Sequence, residues 1–108
     1  MTKKKLKETL DGVEYYKKRI IFLKKRLWSE VELYKRDFEV LKNAKEIYLS
    51  ICRLSWNKCD VGIVWKPAYD LYQSCKKNVN EDRMSIKSTK HLIKVSQRWV
   101  SKLYLSLK

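Results

Sequence analysis

Breakers are scarce: 108 residues contain two Gly and one Pro. A chain of many tight turns is thereby excluded, and with 44% hydrophobic and 12% aromatic residues so is a disordered basic tail. The chain should fold, mostly as helix. No apolar run approaches the roughly 20 residues that a membrane span needs. Met1-Thr2-Lys3-Lys4-Lys5 is not followed by the apolar core of a signal peptide. A soluble intracellular protein, cytoplasmic or nuclear, is expected. Cysteine is sparse as well, and Cys52, Cys59 and Cys75 are an odd number at no disulfide-framework spacing, which suits a reducing compartment. With the one histidine, His91, they could compose a Cys3His zinc set, but no C-x-x-C knuckle pre-forms half of it. Small buried thiols are the expected role, with no metal or other cofactor. A phosphate-binding P-loop and a metalloprotease motif are both missing, and a lone His among scattered carboxylates makes no acid/base pair. A non-catalytic protein is expected.

Positive charge is abundant. Lys and Arg number 26 against 12 Asp and Glu, a formal +14. Residues 1–56 carry 15 basic and 8 acidic groups and residues 57–108 carry 11 and 4, so each half has a net +7. A basic tail on a neutral body is excluded by that division. Like charge at this density repels itself in a compact state and makes functional sense when a polyanion neutralises it. Nucleic acid leads, and an anionic membrane surface comes after it. At 108 residues the chain fits a single helical domain, residues 1–108, sharing one modest core.

Leu6, Val13, Ile20, Leu27, Tyr34, Leu41 and Tyr48 recur every seven residues, and Leu10, Tyr16, Leu23, Val31, Phe38, Ala44 and Cys52 fall between them. Such a seam predicts long helix with coiled-coil character over residues 5–56. It is either one helix or a pair broken near Trp28-Ser29, where Ser29-Glu30-Val31-Glu32 matches the S-x-x-E capping box. Gly12 should weaken the opening turns. Lys17-Lys18-Arg19 and Lys24-Lys25-Arg26 repeat at seven residues as a basic ridge on one side of this helix. Residues 57–66 lose the heptad and read as an apolar loop, with Val61, Ile63, Val64 and Trp65 closing the core. Pro67 suits the first position of a short helix, running to about Lys77 before Asn78-Val79-Asn80 ends it. The fold class is therefore all-α: a small helical bundle with a long heptad-patterned amino-terminal helix or helix pair, and a basic helical segment at the carboxyl end.

From Arg83 to Lys108 there is no acidic residue. Arg83, Lys87, Lys90, Lys94, Arg98 and Lys102 follow at helical steps, placing six cations on one face, with Met84, Leu92, Val95, Trp99 and Leu103 as an apolar stripe on another. Over residues 85–104 the spacing resembles the helix-turn-helix of sigma-region-4-like and phage-regulator DNA-binding proteins. Ile86 takes the first apolar position, Leu92 and Ile93 the end of the first helix, Val95-Ser96 the turn and cap, and Val100 and Leu103 the buried side of the second. Lys90 stands where a small residue is usual and Lys94 where the turn glycine is. The resemblance implies a recognition helix after Ser96, with Gln97, Arg98, Ser101 and Lys102 facing the major groove, Arg reading guanine and Gln adenine. A single helix over residues 81–107, capped by Asn80 and holding phosphates without reading sequence, fits the same residues, since the apolar positions continue across Lys94.

Four Trp and seven Tyr beside so many cations suggest base stacking at Trp28, Trp56, Trp65 and Trp99. Trp99, on the apolar stripe, is expected in the core; Trp56 and Trp65, flanking the loop, are the better candidates for exposure. The expected function is nucleic-acid binding, DNA ahead of RNA, mainly through phosphates. The contacting residues would be Arg83, Lys87, Lys90, Lys94, Gln97, Arg98 and Lys102, with Lys17, Lys18, Lys24 and Lys25. Heptad patterning also predicts a homodimer or higher homo-oligomer, and no membrane span. The alternative is a structural or adaptor protein whose heptad face self-assembles or takes an acidic partner.

Overall fold

A computed structural model describes residues 2–55 and 62–107. Among the described residues there are two helices and no strand: α1, Lys3–Ser55, and α2, Gly62–Ser106. The protein is all-α, with the long heptad-patterned amino-terminal helix that the sequence predicts. No helix among the described residues is long and apolar enough to cross a membrane. Trp56, Cys59 and Val61, and with them the first half of the expected loop, lie outside the described residues, as do the side chains of Ile63 and Val64.

α1 is one helix, not a pair. Thr2 opens it, its hydroxyl oxygen accepting from Lys5 N–H at 3.2 Å and satisfying one of the amides a helix start leaves open. The capping box at Ser29 does not form. Ser29 Oγ donates instead to the Lys25 carbonyl at 3.3 Å, one turn back inside the helix. Glu32 meets Lys35 rather than reaching back, and Arg26 bridges the same stretch by pairing with Glu30. With no Gly or Pro between Val13 and Asp60, nothing in the backbone asks for a break.

α2 departs further from expectation. Gly62–Lys66, expected as loop, is its first turn, and Pro67 lies inside the helix rather than at its start. Asn78-Val79-Asn80 does not end it, and Asn80 caps nothing. The reason is burial: Val79 is packed away with Ala68 and Cys75, and tertiary packing outweighs the weak helix preference of two exposed asparagines. Through Lys94, Val95 and Ser96 the helix also runs unbroken. The turn that the helix-turn-helix resemblance implies is not formed. Ser96 Oγ donates to the Leu92 carbonyl at 2.9 Å, a bond that belongs to helix interior.

The chain divides into two compact units. The terminal unit joins Met1–Glu30 to Ser85–Lys108, and the central unit is Val31–Met84. Each is an antiparallel pair of helix segments. In the terminal unit Val13 and Leu23 of α1 are buried with Thr89, Ile93 and Ser96 of α2. Gly12 is where the segments approach closely, since a Cβ there would stand 3.2 Å from Leu103 Cδ1. In the central unit Ala44, Ala68, Cys75 and Val79 are buried. The central unit adds an aromatic cluster: Tyr48 stacks on Tyr72 (5.6 Å between ring centres) and Trp65 on Tyr69 (5.3 Å). Trp65 is thus tied into packing against Tyr48 and Tyr69, although it stays 38% exposed.

The inward face of α2 is not the stripe of Met84, Leu92, Val95 and Trp99; of the expected stripe, Leu103, seven residues beyond Ser96 and facing Gly12, does fall in the inward register. Met84 is 70% exposed and Trp99 45%, whereas Thr89 is 0% and Ser96 2% exposed. The buried register in the terminal unit is Ile86, Thr89, Ile93, Ser96 and Val100, and in the central unit Ala68, Tyr72, Cys75, Val79 and Asp82. Both alternate steps of three and four, as a coiled-coil seam does. Small or polar residues fill one of its two rows.

Candidate nucleic-acid interface

Folding changes where the charge lies. The two halves of the sequence carry equal charge, but the terminal unit gathers both chain ends, with sixteen Lys and Arg against four Asp and Glu, a net +12. The central unit has ten against eight, a net +2. A field of one sign over one unit concentrates counter-ions and attracts polyanions to it.

Lys87, Lys90, Lys94, Gln97, Arg98 and Lys102 are all exposed on α2 within the terminal unit. Lys87, Lys94, Arg98 and Lys102 project away from the seam of Thr89, Ile93 and Ser96, while Lys90 and Gln97, next in sequence to Thr89 and Ser96, stand on its flank. None of these cations has a carboxylate partner within α2, since no acid follows Asp82. Arg83 belongs to the central unit, where its Nε donates to Tyr34 Oη at 3.3 Å and its guanidinium lies 5.8 Å from that ring's centre. Arg83 stays exposed beside that ring, outside the terminal unit.

On α1, Lys17, Lys18, Lys24 and Lys25 are exposed, but they do not form a single ridge. Consecutive residues are about 100° apart, so Lys17 and Lys24 make one row and Lys18 and Lys25 another. Lys17 Nζ sits 5.1 Å from the Tyr104 ring centre, and Lys18 pairs with Glu14 at 3.1 Å in an exposed contact that contributes little to stability. Tyr104 is about 140° around α2 from Trp99, so Lys17 does not join the Trp99 side.

Trp99 is the residue that sequence reasoning misplaced. It lies parallel to Tyr16, 6.1 Å between centres and 8° between planes, with Lys102 Nζ 5.0 Å from its ring centre. Val95, Arg98, Trp99 and Lys102 line a surface hollow of ≈ 180 Å³. One heptad earlier, Lys87, Ser88, His91 and Leu92 line a second, of ≈ 460 Å³. Arg98 and Lys102 are the cations of the first, and Lys87 that of the second. The available signal was the register of Thr89 and Ser96: once those are inward, Leu92, Val95 and Trp99 must turn toward the flank.

The titratable groups that depart from ordinary behaviour lie in the central unit. Asp82 is pushed up to about 6, first by burial, then by its hydrogen bond with Asp37 and by repulsion from Asp37 and Glu81. The Tyr48 hydroxyl is raised, chiefly by its hydrogen bond with Cys52. Among the described residues no three His, Cys, Asp or Glu are grouped to hold a metal; Cys75 is buried in the central unit and His91 is exposed in the terminal one. No family model matches the chain, and neither a curated protein nor a solved structure does.

Proposed function

We propose that the protein binds nucleic acid without catalysis, through phosphate contacts on the terminal unit. The observation that carries this is the concentration of +12 of the formal +14 on that unit, with five cations, Lys87, Lys90, Lys94, Arg98 and Lys102, exposed along one helix. Such cations attract the phosphate backbone whatever its sequence. The unbroken helix supports phosphate holding over base reading by Gln97 and Arg98, because it lacks the separate recognition helix that the motif supplies. The test is charge reversal in one unit at a time, read by fluorescence anisotropy of labelled DNA and RNA. Lys87→Glu with Lys94→Glu and Arg98→Glu should abolish binding, and Lys42→Glu with Lys45→Glu and Lys76→Glu in the central unit should leave most of it. Equal losses from the two sets would refute the assignment to the terminal unit.

A second reading has one observation in its favour. Leu33, Val40, Ile47 and Leu54 are exposed on the central unit at steps of seven, a second heptad row beside the inward one. A second copy of the chain, with the same repeat, is the partner that matches such a row. Sedimentation equilibrium tests it: Val40→Lys with Ile47→Lys should convert a dimer to monomer, and a wild-type chain that stays monomeric at high concentration removes the reading.

A further inference from the structure

We infer that the nucleic acid taken by the terminal unit is single-stranded, with an unpaired base stacking on Trp99 in the hollow formed by Val95, Arg98, Trp99 and Lys102. The inference rests on the nucleic-acid reading and narrows it. A site for phosphates alone needs only cations. Here, an indole 45% exposed stands on the flank of a helix whose inward positions hold the small polar Thr89 and Ser96. Trp28 is more exposed still at 68%, but Trp99 has a ring partner, a cation and a hollow about it, and keeping that much of its indole in water forgoes burial that would stabilise the fold. A base laid on the ring recovers it, and every base has a face to offer once it is out of the duplex stack.

The surroundings suit that ligand. Tyr16 lies parallel to Trp99 at 6.1 Å, which restrains the indole and reduces the entropy lost on binding. Lys102 is held 5.0 Å from the ring centre, and Arg98 lines the same hollow of ≈ 180 Å³. With Tyr16 and Lys102 both against the ring, a base stacks there by displacing the Lys102 ammonium, which together with Arg98 then meets the flanking phosphates. The hollow of Lys87, Ser88, His91 and Leu92 lies about one heptad earlier, about 10 Å along the helix, with Ser88, His91 and Leu92 at the places of Val95, Arg98 and Trp99 and Lys87 as its one cation. A strand running along this flank meets Leu92 beside one cation, Lys87, and then Trp99 beside two, Arg98 and Lys102. Duplex DNA, its bases stacked inside, gains only the cations.

The test compares a thymidine oligonucleotide, an unstructured RNA of the same length and the corresponding DNA duplex, each titrated by anisotropy against wild type, Trp99→Leu and Trp99→Phe. Trp99→Leu should weaken single-strand binding roughly 5- to 150-fold, the range for loss of one stacked base. Duplex binding should change less than about two-fold, and Trp99→Phe should retain most single-strand affinity because an aromatic face remains. Circular dichroism of both variants checks that the helices persist. Equal losses for duplex and single strand, or no loss in Trp99→Leu, overturn the inference. A wild-type protein that binds duplex and single strand equally overturns it while leaving the phosphate reading standing; one that binds neither overturns both.

Discussion

Thr89 is wholly buried, and its Oγ1 donates to Glu30 Oε1 at 2.5 Å across the terminal unit. Replacing it by Val keeps the shape and removes the donor. Glu30 would keep Arg26 Nε at 3.1 Å on the same oxygen, while its Oε2 is already buried without a hydrogen-bond partner in the structure. The carboxylate then has one bond where it had two. A hydrogen bond to a charged group contributes about 1.5–3 kcal/mol net, and stranding a buried acceptor costs a similar amount. Thr89→Val should therefore destabilise by about 2 kcal/mol, lowering Tm by about 10 °C for a chain near 100 residues. Urea unfolding followed by far-ultraviolet circular dichroism measures the first, and a thermal scan the second. Glu30→Met removes the acceptor, so in the double variant Thr89→Val should cost much less than it does alone. A single-variant loss below about 0.5 kcal/mol, or full additivity in the cycle, would show that the Thr89–Glu30 bond does not hold α1 to α2 here.

Two other perturbations probe the same helix pairs. Asp82 binds its proton more tightly in the fold than in the unfolded chain, where an Asp titrates near ~3.9, so its contribution is fully present below about pH 4 and is lost as pH rises through about 6. Asp82→Asn should accordingly raise Tm relative to wild type at pH 7.5 and not at pH 4, and an equal effect at both would remove the Asp37–Asp82 contact as its cause. Gly12→Ala gains helix propensity of about 1 kcal/mol and asks only that the end of the half-buried Leu103 side chain yield a few tenths of an ångström. It should raise the urea midpoint, whereas Gly12→Leu should lower it; a loss with Ala would mean that Leu103 cannot move.

The seam of α1 was legible because large apolar residues mark it. Val13 and Leu23 are buried and Ile20, Leu27, Tyr34, Leu41 and Tyr48 half-buried, while Leu6, Leu10 and Phe38, which the heptad also includes, stay exposed. The seam of α2 was not, because Ala68, Cys75, Thr89 and Ser96 occupy it and hydropathy favours the exposed Met84 and Trp99 instead. Small side chains there are selected by close approach, a property of the pair rather than of one helix. Ser29 and Pro67 carry local start signals and Asn78-Val79-Asn80 a stop signal, each contributing at most a few kcal/mol, and the helices run through all three. Among the candidate contacts, the exposure of Lys87 to Lys102 followed from spacing alone. The concentration of charge could not, since it arises only when both ends of the chain enter one unit.

The phosphate interface is tested most directly by the dependence of binding on salt. If Lys87, Lys90, Lys94, Arg98 and Lys102 each displace a counter-ion, log affinity should fall linearly with log salt. The slope should be near about −3.5 for a single strand and about −4.5 for a duplex, each lowered by about one unit in Lys94→Ala. With Lys17, Lys18, Lys24 and Lys25 engaged as well, the slope should be steeper still. An affinity that stays flat between about 50 and 200 mM salt would contradict phosphate binding by the terminal unit outright.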